Sequence, residues 1–545
     1  MNADQSFTGK NILKSALLLT IVGIIIKVLS AVYRIPFQNI VGDIGYYIYQ
    51  QVYPFYGVAF ILSTYGFPVV ISKLIAELTP TNKAEARKVL FVSFIFLSLL
   101  FIALFFIFYT YAEKIASLMG DEHLTLPIKT VAFTYLFVPI MSVIRGYFQG
   151  HNNMRPTAIS QFVDQFVRVV TILLITYFLV AYGQSIYTTA AGAVAGSIAG
   201  ACCGAIILCF YWLKRKKDEP QQSTKRNVMK YTSLSIIKTL SRDGLTICIS
   251  SLLLILLQLA DSMTLYSQLV KSELFSATDA KIAKGIFDRG QPLIQLGTVL
   301  AASMSLTVVP LISSAKVRAD FQNIKEKVDL SFRICIIAGV GASLGLMAII
   351  KPANLMLYTD MNGSYVLAIL ACTIIFCSLA LTAAGVIQGL GSCIIPALCI
   401  IIGVICKLFL NYMFVPLFGT YGAASATVLA SLVIAMLLIK HLSNMVEIQS
   451  LKSYFIKALL AGAWMVCCLI GYQILFHKLF GISLTTDRFL ASVETLTAIF
   501  LGAWVYLYSI LKMGIFTESE LRMLPFGEKF VFIMKRKERR LLKEE

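Results

Sequence analysis

The stretch IRGYFQGHNNMRPTAISQFVDQFVR, Ile144 to Arg168, sets an arginine-rich, glycine-punctuated turn directly ahead of an apolar segment that holds both an aspartate and an arginine. A second stretch repeats its plan. AGVIQGLGSCIIPALCIIIGVICK, Ala384 to Lys407, again runs from a Gln-Gly pair through a proline to a terminal basic residue, with one gap between the pair and the proline. The turns that follow also correspond, AYGQSIYTTAAGA from Ala181 against LFGTYGAASA from Leu417. A weaker echo links GFPVVISK, Gly66 to Lys73, with TVVPLISS, Thr307 to Ser314. Duplication of this kind marks a chain built from two related lobes.

The rest of the chain says in what medium those lobes fold. Hydrophobic residues make up 58% and charged residues 14% of the 545, with a mean hydropathy of +0.80, outside the range of ordinary soluble domains. Apolar runs of roughly 20 residues, each enough to cross about 30 Å of hydrocarbon, recur along nearly the whole length. Fourteen spans are expected: 11–33, 46–72, 89–111, 127–148, 157–182, 186–213, 243–269, 290–313, 329–351, 364–388, 393–415, 420–440, 453–476 and 489–512. Continuous rather than alternating apolarity implies helices, which satisfy their own backbone, and not a barrel. The predicted fold is an all-α polytopic membrane protein with two pseudo-symmetric six-helix lobes and two C-terminal helices. Residues 1–213 form the first lobe, 214–242 a basic linker, 243–442 the second lobe, 443–515 the appended pair and 516–545 a basic tail. An even number of spans per repeat gives both lobes one orientation and a central cavity between them.

Lysines and arginines fall on alternate loops: Lys10 and Lys14, Lys83 to Lys88, Arg145 and Arg155, Lys214 to Lys230, Lys316 to Lys327, Lys440 and Lys452, and the tail. By the positive-inside rule both termini are expected in the cytoplasm of a multi-pass protein of the cell membrane. This placement also accounts for the net charge of +19, which sits beside spans and meets anionic headgroups, so nucleic-acid binding is excluded. The first span is read as uncleaved. The twelve cysteines lie inside apolar runs and the four histidines do not cluster, so neither metal nor disulfide is expected. There is no phosphate loop, nucleophile elbow or HExxH, so no cofactor is expected and an enzyme reading is weak.

Charge inside the spans carries the functional reading. Gln161, Asp164, Gln165 and Arg168 share one helical face, and so do Lys27, Ser30 and Arg34. Gln258, Asp261 and Ser262 sit together in the seventh span, and Lys407 and Asn411 in the eleventh. An ionised residue at the bilayer centre costs roughly 2.5–3.5 kcal/mol even on lenient scales, so these groups either line a hydrated cavity or pair off. Asp164 and Arg168 fit a cargo site or a structural ion pair; Arg34 fits a cargo site or a snorkelling anchor. Basic residues Lys27, Arg34, Arg168 and Lys407, with Arg145 and Arg155 at the inner mouth, outnumber Asp164 and Asp261, which suits an anionic cargo. Tyr46, Tyr47 and Tyr49 read as interfacial anchors. Pro54, Gly57, Gly66 and Pro68 read as flex points or as packing kinks, and Gly192, Gly196, Gly200 and Gly204 as a ridge for a close helix neighbour.

GDIGYYIYQQVYPFYG (Gly42 to Gly57), GFPVVISKLIAE (Gly66 to Glu77) and the opening stretch together resemble the polysaccharide-transporter branch of the multidrug/oligosaccharidyl-lipid/polysaccharide exporter superfamily. The resemblance is to the stage V sporulation protein B group and, more distantly, to MurJ-type lipid II flippases, and it covers essentially the whole chain. It implies a V of two six-helix lobes, a cationic cavity, a groove at helices 13 and 14 for an isoprenoid tail, and pyrophosphate contact by the first helix at Lys27 and Arg34. A basic residue that lipid II flippases carry in the eighth span has no counterpart in TVLAASMSLTVVP. The implied cargo is an undecaprenyl-pyrophosphate-linked saccharide, moved between leaflets among membrane lipids and cell-envelope synthesis enzymes, with Asp164 and Asp261 tuning the site or responding to ions. Membrane potential, worth about 2.3 kcal/mol per charge per 100 mV, is one available drive. A drug/cation antiporter of the same superfamily and a membrane-embedded glycan enzyme are the competing readings.

Overall fold

The computed structural model describes residues 21–78, 83–215, 231–447, 451–480 and 487–515. Every regular element among them is helical, as continuous apolarity requires. Eleven of these helices are long and apolar enough to cross a membrane. Two of the eleven, Ile21–Leu78 and Ile394–Ser443, are longer than one crossing needs. Each reverses at a glycine.

The first reversal is at Gly42, with φ 68° and ψ −174°. The Tyr33 and Tyr49 hydroxyls meet at 2.8 Å although 16 residues separate them; a straight helix would hold them about 24 Å apart at ~1.5 Å per residue. The second is Gly419, at φ 57° and ψ −133°, beyond which a Cβ on Gly403 would run into Ile434 on the returning arm. Both residues sit in backbone regions that only glycine enters at low cost.

Divided there, the segments are α1 (21–41), α2 (43–78), α3 (Lys83–Thr110), α4 (Glu122–Gly150), α5 (Arg155–Ala181), α6 (Ile186–Arg215) and α7 (233–271). They continue as α8 (277–317), α9 (Phe321–Ala348), α10 (Ser364–Gly389), α11 (394–418), α12 (420–443), α13 (Leu451–Phe480) and α14 (Arg488–Lys512). They are consistent with the fourteen expected spans but exceed them in length. α7 begins at Ser233 rather than 243, so the expected linker 214–242 is helical at both ends, and residues 216–230 lie outside the described residues. α8 starts at Ala277, 13 residues before the expected 290, in an amphipathic extension rich in charge. The basic tail, 516–545, and the first ten residues of span 1 lie outside the described residues.

Glycines set how the helices pack, and they repeat. Gly146 and Gly150 of α4 seat on Ile71 and Ile75 of α2; Gly385 and Gly389 of α10 seat on Ser305 and Ile312 of α8. The RGYFQG and AGVIQG echoes are therefore equivalent seats in two helix pairs. Ile312 takes the place of Ile75, one helical turn away from the register that the weaker sequence pairing gives. The turn glycines of the other echo, Gly183 and Gly419, both have positive φ, 67° and 57°.

The four-residue ridge of α6 behaves as its spacing implies. Gly192 faces Ile175 and Leu179, Gly196 faces Ile172, and Gly200 and Gly204 face Asp164 on α5. A Cβ on Gly200 would clash with the Asp164 backbone oxygen and lie 2.9 Å from Arg168 Cβ and from Asp164 Oδ1. Gly57 and Gly66 on α2 are likewise approach points, where Ile255 and Cys248 of α7 fill the space. Gly200→Val is expected to destabilise by about 1–3 kcal/mol through overpacking. Gly42→Ala, with nothing within 4 Å of the new Cβ, is expected to lose only backbone strain energy of similar size. Thermal melts check both.

Candidate functional site

Between the first six and the second six helices lies a cavity of about 880 Å³. It reaches the face that carries the basic loops, where Lys73, Arg242 and the α10–α11 turn at Gly391 to Cys393 line it. Its deep end is made by Lys27 and Ser30 of α1, Tyr53 and Tyr56 of α2, Gln165 and Arg168 of α5 and Gln295 of α8. Among the described residues, four basic side chains, Lys27, Lys73, Arg168 and Arg242, border it against a single carboxylate, Asp243.

Of the residues singled out from sequence, the structure brings Lys27 and Arg168 together at this cavity. Lys27 is half-buried and makes no hydrogen bond or ion pair among the described residues. Arg168 is fully buried behind the wall. Its Nε donates to Ser197 Oγ at 3.1 Å, its Nη1 to Gln165 Oε1 at 3.2 Å, and its Nη2 to the Tyr33 and Tyr49 hydroxyls, both at 2.9 Å. Its guanidinium also stacks 3.9 Å from the centre of the Tyr56 ring. Arg168 therefore projects charge into the cavity through an aromatic wall that it also holds in place.

The remaining predicted groups stand elsewhere. Asp164 does not pair with Arg168; its ion partner is Arg145, at 3.7 Å. Arg145 is not at a cavity mouth but inside the first bundle, where Nη1 donates to the Ser63 carbonyl and the Thr64 hydroxyl, both at 3.1 Å. Those two residues belong to a π-turn, Leu62–Gly66, whose widened ring leaves a carbonyl for the arginine to satisfy. In the second bundle Lys407 donates to Asp261 Oδ2 at 2.6 Å and to the Leu257 carbonyl at 2.8 Å, while Asn411 holds Asp261 Oδ1 at 3.0 Å. Lys407, Asp261 and Asn411 are all buried and none lines the cavity. Arg155 is exposed at the start of α5. Arg34 is buried over the Tyr53 ring, 4.1 Å from its centre, and does not snorkel.

Besides the mouth cations Lys73 and Arg242, sequence reasoning missed two features. The tyrosines of α2 are not interfacial anchors: Tyr46, Tyr47 and Tyr49 are at most 1% exposed. Their hydroxyls are used internally, Tyr49 by Arg168, Tyr46 by Gln50 and Tyr47 by Asp121. The other is a set of ion pairs that closes the face opposite the cavity mouth. Arg289 of α8 donates to Asp43, between α1 and α2, at 2.6 Å, and to Asp360, ahead of α10, at 2.7 Å. Beside it Lys281 reaches Asp121 at 3.1 Å, and Tyr187 donates to the same carboxylate at 2.6 Å. A heptad-like helix extension, ATDAKIAKGIFDRG from Ala277, carries both cations; its amphipathic spacing was the available signal.

These features define a helical membrane protein with a cationic cavity open at one face and a set of ion pairs at the other. The chain belongs to the polysaccharide biosynthesis protein family, whose model matches residues 12–316. It is 42% identical over 527 residues to the uncharacterized membrane protein YabM of Bacillus subtilis, covering 96% of this chain and 97% of that one. It is 26% identical to the lipid II flippase MurJ of the same organism, over 95% and 98% of the two chains, and 25% identical to its stage V sporulation protein B, over 96% and 98%. Among solved structures, an inward closed conformation of the lipid II flippase MurJ superposes with a TM-score of 0.63 at 15% identity, covering 91% of this chain and 97% of that chain. An inward-facing multidrug resistance MATE transporter of the MOP superfamily superposes with a TM-score of 0.61 at 15% identity, over 78% and 96%. The fold is thus shared between flippases and multidrug transporters.

Because Lys407 and Asp261 pair at 0% and 1% side-chain exposure, removing one leaves the other buried and uncompensated. Lys407→Met is expected to destabilise by about 3–5 kcal/mol, and Lys407→Met with Asp261→Leu to recover most of that loss. Melting temperatures and a double-mutant cycle check the pair; a cargo-holding role would instead leave stability unchanged.

Proposed function

We propose that this chain is a flippase, carrying an undecaprenyl-pyrophosphate-linked saccharide from the cytoplasmic to the outer leaflet of the cell membrane by alternating access. The observation that carries the reading is the charge of the cavity, four cations against one carboxylate. A pyrophosphate is the anionic, hydrogen-bond-accepting group that such a wall attracts, and low-dielectric surroundings strengthen the attraction. Membership of a polysaccharide biosynthesis family and homology with a lipid II flippase support a lipid-linked precursor as the cargo class. Lipid II and other saccharides on the same lipid carrier fit the cavity's chemistry equally.

In this reading the basic face is cytoplasmic, both termini included, and the cavity loads from the inner leaflet. Lys27, without a hydrogen-bond or ion-pair partner among the described residues, makes the direct ionic contact with pyrophosphate. Arg168 holds Tyr33, Tyr49 and Gln165 in register and adds field through the Tyr56 wall. Lys73 and Arg242 draw the anion in at the mouth. The Asp43–Arg289–Asp360 and Asp121–Lys281 pairs hold the outer face shut, and their parting releases it. Asp164, Arg145, Asp261 and Lys407 keep each lobe rigid, so that the lobes move as bodies. The lobe boundaries at about 213 and 243, the appended helix pair 443–515, and association with cell-envelope synthesis enzymes belong to the same proposal.

The cavity's charge disfavours the drug/cation antiporter, whose cargo would be repelled by it. Homology with a lipid II flippase supports transport over an enzymatic role.

Lys27→Ala tests the assignment with little risk to folding, since the ammonium has no partner to lose among the described residues. Flipping of a fluorescent undecaprenyl-pyrophosphate saccharide in proteoliposomes is expected to fall at least tenfold, which corresponds to one charge-assisted contact of about 1.5–3 kcal/mol. The melting temperature should not change. Wild-type flipping by this variant contradicts the assignment.

A further inference from the structure

We propose that the second-bundle wall of the cavity is a hydrogen-bond-acceptor surface that selects an uncharged sugar next to the pyrophosphate, with the Gln295 and Gln388 amides setting the specificity. The proposal rests on the reading of the cavity as a pyrophosphate site and adds the class of sugar that follows the pyrophosphate.

The two walls of the cavity differ in kind. Helices α1, α2 and α5 of the first bundle supply Lys27, Lys73 and Arg168. The second bundle supplies Arg242 and Asp243, adjacent at the mouth and opposite in charge. Inward of that pair, the described residues that line this wall from α7, α8 and α10 carry no charge. The net charge of the cavity treats every saccharide on the carrier alike, but the distribution of that charge does not.

The second wall is polar in one sense only. Thr246, Ser250, Ser251 and Thr298 all border the cavity. Each donates its hydroxyl proton to the carbonyl four residues back on its own helix, at 2.9, 2.8, 3.0 and 2.8 Å. A hydroxyl whose proton is spent on the backbone keeps its lone pairs, so it meets a ligand as an acceptor. Gln295 adds a further acceptor at the deep end: its Oε1 is buried and has no hydrogen-bond partner among the described residues. Native interiors rarely leave such an atom unmet. Gln388 lies one turn inside the mouth, and its amide makes no hydrogen bond among the described residues. The two glutamines therefore frame the wall from end to end.

A surface of acceptors calls for donors. Sugar hydroxyls and the N–H of an N-acetyl group supply them, and the C–H faces of a pyranose fit Ile255 and Val299, which line the same wall. A carboxylate or phosphate on the sugar supplies none. Its lone pairs would face those of the wall in low dielectric, with the cations across the cavity already committed to the pyrophosphate. An organic cation would satisfy the acceptors but is repelled by the opposite wall. The volume, about 880 Å³, falls within the ~300–1,000 Å³ of sites that enclose one small ligand. It takes the pyrophosphate and the sugars next to it, while more distant sugars extend through the mouth.

The test measures binding to the full chain in nanodiscs with three probes: undecaprenyl pyrophosphate alone, its N-acetylglucosamine form and its glucuronic acid form. The wild type is expected to bind the N-acetylglucosamine form about tenfold more tightly than the bare pyrophosphate, and the glucuronic acid form no more tightly than the bare one. Gln295→Leu and Gln388→Leu should each cut the gain given by N-acetylglucosamine by about threefold or more. Gln388→Lys, which sets a cation on the wall, should raise affinity for the glucuronic acid form about tenfold and leave the N-acetylglucosamine form without a gain. Equal binding of all three probes by the wild type, or glutamine variants that weaken bare and sugar-bearing forms alike, overturns the proposal. If Gln295→Leu does not fold, the two Gln388 variants decide by themselves. Unchanged binding of the bare pyrophosphate by Lys27→Ala is the distinct result that removes the cavity reading beneath the proposal.

Discussion

An ionised side chain inside a bilayer must be given a partner or water, and this constraint sorts the charged residues of the protein into two kinds. Arg145, Asp164, Asp261 and Lys407 are given partners. Each pair ties neighbouring helices within one bundle, because a carboxylate and a cation buried in low dielectric are held together far more strongly than at a surface. Lys27 and Arg34 have no such partner among the described residues, and both lie where the two bundles face each other. Charge that is matched stiffens each bundle; charge that is unmatched lies along the path between them.

Arg168 belongs to both kinds. Its four hydrogen-bond partners come from α1, α2, α5 and α6, so one guanidinium fixes four helices around the cavity's deep end. It needs no carboxylate because tyrosine hydroxyls and an amide accept its protons, and the assembly keeps its full positive charge. The ridge of small residues on α6 makes this possible: Gly196 and Gly200 let α6 approach closely enough for Ser197 to reach Nε.

Much of the fold was legible in the sequence, because apolar length fixes crossings and glycine spacing fixes seats. The RGYFQG and AGVIQG echoes proved to be equivalent contacts, Gly146 and Gly150 against Gly385 and Gly389. Helical spacing also identified the right face of α1 and α5. It could not say which neighbour each residue on that face would meet, and so Asp164 was set beside Arg168 when its partner is 19 positions upstream, on α4. Lys73 and Arg242 were missed for a different reason: at the ends of spans, cations that set topology look the same as cations that line a mouth. The seal residues Arg289 and Lys281 lie in a helical extension whose polarity reads as a loop. The α2 tyrosines were misjudged because an aromatic near a span end fits a headgroup belt and a buried hydroxyl network equally.

The central claim is that the unmatched charge serves an anionic lipid. Native mass spectrometry of the protein released from its own membrane, with co-purified lipids retained, tests it most directly. The account expects one bound species with the mass of a polyprenyl-pyrophosphate saccharide, present on the wild type and depleted on Lys27→Ala. Only bulk phospholipids on both, or a bound organic cation, would contradict it.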